Sequence, residues 1–189
     1  YGSVTEPIDL GSGAQGIGAG AGAGAIYLNI SNNLTVDGYI SVNATSITGN
    51  GAGAGGSIYL RTGILSGSGN ISAVGGRATS VGDGSGAGGR IAIYYDTYNF
   101  VGGINANAQK AAYDYDQGGA GTIYLKDSSK GFGNLTINNI GLTGPIRTLL
   151  NDSLLDISTL ENLNIYGGSS VIIDMNLSLI SDSSCGDAS

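Results

Sequence analysis

Asp114 and Asp116, in "YDYDQGG", are the closest pair of carboxylates in the chain, and Asp152 and Asp156 are a second close pair. On an extended strand, residues two apart project from the same face. Two carboxylates held across a cleft can hydrolyse a glycosidic bond, one as acid and the other as base or nucleophile. The chain has no histidine, which excludes Ser-His-Asp and Cys-His machinery. A solvated turn ahead of a glycine block accounts for Asp114 and Asp116 more simply, so no enzymatic activity is expected. A β-helical polysaccharide-degrading enzyme is the least favoured of the functions considered.

Cofactor motifs fail on context. Residues 11–16, "GSGAQG", fit G-x-G-x-x-G, and Asp37 follows at about the distance of a dinucleotide fingerprint. The same pattern recurs at 51–56 and 84–89. Each copy leads into a β-favouring run, where a nucleotide loop needs a helix to hold the pyrophosphate. No Gly-Lys-Ser/Thr follows, so a phosphate-binding loop is excluded. "VGDGSGAGG" offers Asp83 once, whereas a calcium β-roll places an aspartate in every turn. No cofactor and no metal site are expected.

Charge narrows the partners. The net charge is −7 and the seven basic residues are scattered from Arg61 to Arg147, so no basic patch exists for a phosphate backbone and nucleic acid is not expected. No apolar run reaches the length of a membrane span. The chain begins at Tyr1 rather than Met, which reads as a processed or partial chain and says nothing against secretion. Cys185 is the only cysteine, so an internal disulfide and a cysteine metal site are impossible. An inert thiol is expected there, with pairing to another chain as the alternative.

Seven N-x-S/T sequons are headed by Asn29, Asn33, Asn43, Asn70, Asn134, Asn151 and Asn176. Asn70 and Asn134 each precede an apolar residue at one repeat position, which places them on the face opposite the core. Sequons of this kind mark surface positions in a secreted protein. Covalent N-glycans and an extracellular or cell-surface location are therefore expected.

What must position these residues is a repeat. Four glycine blocks run into short β-favouring segments, "GAGAGAIYL", "GAGAGGSIYL", "GSGAGGRIAI" and "QGGAGTIYL". They place Ile26, Ile58, Ile91 and Ile123 at spacings of 32, 33 and 32. A second ladder, Ile40, Ile71, Ile104 and Leu135, follows at 31, 33 and 31. Alternation along each strand turns these residues inward and turns Tyr27, Tyr59 and Tyr124 outward. One repeat cannot bury its apolar face, but stacked repeats can. An all-β parallel β-helix or solenoid with coils of about 32 residues follows, favoured over an antiparallel sandwich. Residues 1–10 are read as an extended arm or starting strand, and 11–139 as four repeats. Residues 140–189 are read as a C-terminal short-strand region and tail that continues the solenoid or covers its end, with Ile157, Ile165 and Ile173 eight apart.

The stretches GGSIYL, GSGNISAVGG and GGRIAIYY within residues 51–95 resemble the Gly-rich β-helix repeats of secreted microbial and protist surface proteins, adhesin-like or filament-forming glycoproteins. The resemblance implies a right-handed β-helix and an extracellular structural or adhesive role. The leading expectation is a structural subunit of a filament or surface coat. It would bind copies of itself head-to-tail through residues 1–10 and 165–180. An adhesin or glycan-binding module, with Tyr27, Tyr59 and Tyr124 as a stacking platform, is the alternative.

Overall fold

The β-branched and aromatic run after each glycine block becomes a strand, as its composition favours. These strands are β1 (Ala25–Thr35), β3 (Ser57–Gly67), β5 (Arg90–Phe100) and β7 (Thr122–Asp127). A turn then leads to a short strand, β2 (Tyr39–Ser41), β4 (Asn70–Ser72) or β6 (Gly103–Asn105). The computed structural model describes residues 2–112, 117–151 and 159–179. Asp114, Asp116, Asp152, Asp156, Ile157 and Cys185 lie outside the described residues. No helix among the described residues is long and apolar enough to cross a membrane.

Strands β1, β3, β5 and β7 pair in parallel in that order, and β2, β4 and β6 form a second parallel sheet. Ile26, Ile58, Ile91 and Ile123 stand in register across the first sheet. Ile40, Ile71 and Ile104 stand in register across the second. The chain is thus a parallel β-solenoid of about 4 coils with ~32-residue spacing. The two ladders begin with different spacings because β1 is bulged. Ile30 faces Thr62 but Asn33 faces Ile64, so Ser31 and Asn32 together oppose Gly63.

Ile58, Leu60, Leu65, Ile71, Ile91 and Ile93 are fully buried between the sheets. Each such side chain is worth roughly 1.5–3 kcal/mol of burial. Ile26, Ile40 and Ile104 pack against this core while remaining partly exposed. For Ile26 and Ile40 the reason is position, since the first coil has a neighbour on one side only.

The glycine blocks close each coil by stacking main chain on main chain. Gly20 donates to the Gly51 carbonyl at 2.9 Å, Ala52 to Gly84, Gly55 to Ala87 and Gly88 to Gly119 at 3.0 Å. Gly89 and Gly121 also donate across the coil to Ala73 and Ala106 at 2.7 Å. A Cβ on Gly56, Gly89 or Gly121 would strike the carbonyl of Gly24, Gly56 or Gly89 in the preceding coil.

After β7 the chain reverses. Strand β8 (Asn134–Asn138) pairs antiparallel with β7. With β9 (Thr148–Asn151) and β10 (Thr159–Leu160) it starts a smaller coil. A second small coil, β11 (Asn162–Tyr166), β12 (Val171–Asp174) and β13 (Ser178–Leu179), pairs on it strand by strand, in parallel. Leu135 therefore faces Tyr124 and Leu163 rather than Ile104. Its spacing matches the second ladder, but the short turn at 128–133 carries it into the first sheet, where Leu135 and Ile137 are fully buried. The small coils cover the fourth coil. Lys130 and Glu161 form an ion pair at 2.6 Å across the junction, and the Thr148 hydroxyl donates to the Ala120 carbonyl at 2.6 Å. Leu150 and Leu160 supply the buried positions there, while Ile165 and Ile173 are exposed.

Gly56→Ala should cost at least about 1–3 kcal/mol, the usual range for forced overpacking. Gly24→Ala, where an added Cβ meets nothing within 4 Å, should leave stability unchanged or slightly raised. Urea unfolding of the two variants measures the difference, and equal stabilities would contradict the close-packed arcs.

Candidate functional site

Outside the first sheet, Tyr27, Tyr59, Ala92 and Tyr124 stand in one register row. Tyr94 leans between Tyr59 and Tyr124, with ring centroids 5.7 and 5.9 Å away, and Tyr27 lies 4.9 Å from Tyr59. Only Tyr27 is open to solvent, at 55% exposure, whereas Tyr59 and Tyr124 retain 6% and 1%. The exposed stacking platform expected from Tyr59 and Tyr124 is therefore absent. Alternation placed them on the correct side, but other parts of the chain cover that side. Val4, Leu135, Ile137, Leu150 and Leu160 join them in a second hydrophobic core.

Part of the cover comes from the N-terminal arm, which lies along its own coils. Ser57 Oγ donates to the Asp9 carbonyl at 2.6 Å. Tyr59 Oη donates to Glu6 Oε1 at 3.2 Å and accepts from Arg61 Nη1 at 2.9 Å. Val4 is 1% exposed and seals the far end. Among the described residues the arm contains no strand and lies against its own body.

Three residues beyond each ladder isoleucine lies a further row, Asn29, Arg61, Tyr94 and Lys126, in register on the four parallel strands. The Arg61 guanidinium carbon sits 5.0 Å from the Tyr94 ring centroid, and Lys126 Nζ sits 5.8 Å from it. Both distances are within cation–π range. A shallow groove of about 170 Å³ opens here, lined among others by Asn29, Ser31, Arg61, Tyr94, Asp96 and Ser128. A second cleft, about 220 Å³, lies at the seam with the small coils, beside Val4, Arg90, Thr122 and Arg147. The Arg61–Tyr94–Lys126 cluster was not singled out from the sequence. Its signal was the constant offset of three from the ladder, which becomes legible only once the register is known.

The sequons divide by environment. Asn29, Asn33, Asn43 and Asn176 are exposed, and Asn70, Asn134 and Asn151 are half-buried. Several asparagines also bond between coils. Asn43 Oδ1 accepts the Val74 N–H at 2.7 Å, and Asn70 Oδ1 accepts from Asn105 Nδ2 at 3.0 Å. Asn134 Oδ1 accepts from Asn162 Nδ2 at 2.6 Å, while its own Nδ2 donates to Glu161 at 3.2 Å. Asn70 and Asn134, matched by spacing, lie in different sheets.

No protein-family model, no curated protein and no solved structure matches this chain. The resemblance to Gly-rich β-helix repeats holds at the level of architecture, a β-solenoid.

Burial pushes the Tyr59, Tyr95 and Tyr98 hydroxyls above the ordinary value of 10.0. The unfolded chain ionises first, so the stability these groups contribute is intact below pH 10. It is lost as pH rises through their folded values. Alkaline titration should show a late fraction of phenolate absorbance rising together with the loss of β-sheet circular dichroism. Tyr59→Phe should shrink that late fraction, and its persistence unchanged would contradict the burial.

Proposed function

We propose that this chain is a non-enzymatic structural subunit of an extracellular, N-glycosylated filament or surface coat, in which copies join head-to-tail. The observation that carries the reading is the pair of sheet edges at opposite ends of the fold. Among the described residues, β1 pairs only with β3 and β11 only with β8. Unpaired edges of this kind present rows of main-chain donors and acceptors to another strand. Apolar side chains flank both ends: Tyr27 and Tyr39 on the first coil, and Ile165, Tyr166, Ile172 and Ile173 on the last are all exposed. Since the arm is engaged with its own body, the joint is assigned to β1 and β2 at one end and β11 and β12 at the other. Contact between unlike surfaces that does not close into a ring extends into a helical filament. Glycans on exposed sequons would supply solubility that the low charge content does not.

Negative-stain microscopy of the purified protein should show filaments. A Tyr39→Lys, Ile172→Lys double variant should give monodisperse subunits with unchanged circular dichroism, because charge at an edge blocks strand addition. Dispersed monomers of the unaltered protein would overturn the assembly reading. Intact mass before and after deglycosylation tests the glycans, and an unmodified mass from the native source would remove them.

A further inference from the structure

We propose that the row Asn29–Arg61–Tyr94–Lys126 is a binding track for an extended acidic saccharide, whose carboxylates are taken by Arg61 and Lys126. This site differs from the tyrosine platform excluded above and does not depend on the proposed assembly. Its parts are set by the register. Adjacent strands lie about 4.8 Å apart, which puts the two cations roughly 10 Å from one another on either side of Tyr94. These are two of only seven basic residues in an acidic chain.

Arg61 is held in place before any ligand arrives, and Lys126 lies within cation–π reach of the Tyr94 ring. Arg61 Nη1 donates to the Tyr59 hydroxyl at 2.9 Å, and its guanidinium rests 5.0 Å from the Tyr94 ring. That anchoring spends one of five guanidinium N–H donors and leaves others to fork onto a carboxylate. Lys126 sits 5.8 Å from the same ring. Tyr94 thus acts as a positioning residue for two charges. Preorganisation of this sort reduces the entropy lost on binding.

The groove that Arg61 and Tyr94 line selects the ligand class, with Lys126 on the far side of the Tyr94 ring. Asn29, Ser31 and Ser128 offer amide and hydroxyl groups, and Asp96 lines the same groove. A carboxylate such as Asp96 accepts hydrogen bonds from the hydroxyls of a sugar ring. An acidic peptide offers only its spaced main-chain N–H groups for this purpose, whereas a sugar ring offers several hydroxyls beside each carboxylate. A uronic-acid chain presents both the carboxylates and the hydroxyls that this track requires.

Isothermal titration with a trimer of 1,4-linked glucuronic acid tests the assignment, with maltotriose and triglutamate as comparisons. The uronate trimer should bind, and binding should weaken as salt is added. Arg61→Gln and Lys126→Gln should each reduce affinity about tenfold or more, with circular dichroism unchanged. Tyr94→Phe should retain binding, and Tyr94→Ala should lose it to a similar degree as the charge variants. Absence of binding to the uronate trimer, or binding indifferent to both charge substitutions, would overturn the proposal. Equal affinity for maltotriose would refute the role of the carboxylates, and equal affinity for triglutamate would refute saccharide selection.

Discussion

Main-chain atoms of successive coils approach one another in the glycine arcs more closely than any side chain permits, and the rest of the solenoid is built around that approach. Gly56, Gly89 and Gly121 each lie against the carbonyl of the glycine one coil earlier. Glycine is entropically costly to order, since it loses more conformational freedom on folding than any other residue. The cost is offset because each arc satisfies its N–H groups on the neighbouring arc or across the coil. Were the arcs wider, the isoleucine ladders on the opposite wall would lose register and the core would open. The high glycine content and the tightness of the apolar core are therefore one constraint seen from two sides.

A thin coil of this kind has two outer faces to deal with, and the protein treats them differently. The first sheet's outer face carries tyrosines that would be wasteful in water. The arm and the small coils convert most of that surface into a second core around Tyr59, Tyr124 and Leu150. What stays open lies one row further along the strands, where polar and charged groups follow in register. The edge of a β-solenoid cannot be covered by its own repeat. The fourth coil is covered by the reversed β8 and its partners, while the first has no such cover among the described residues.

The inward ladder was legible in the sequence because Ile58, Ile91 and Ile123 combine β propensity with a constant period. The glycine blocks were legible as close-packing arcs because they always precede a strand. The covering of Tyr59 was not legible, since alternation reports the side of a sheet and not what lies over it. Val4 and Leu160 reach that surface from opposite ends of the chain, with no local pattern to announce them. Leu135 misled for a different reason: its spacing of 31 from Ile104 is the spacing that Ile40 and Ile71 also show, yet a tight turn had redirected the strand. The asparagine and serine content, read as sequons, also serves as inter-coil ladders, as with Asn70 and Asn105 or Ser41 and Ser72. Local sequence cannot separate these two uses.

Because β8 doubles back only after β7, the sheet edges at the two ends are built from strands that do not depend on how many coils lie between them. The first three coils each run through the same pair of sheets, so a duplicated segment of about 32 residues would insert among them as a spacer one strand-width thick. The architecture is a gauge whose length is set by copy number, and the arm, fixed to the second coil at Ser57 and Tyr59 and to the seam through Val4, is the strap that has to lengthen with it.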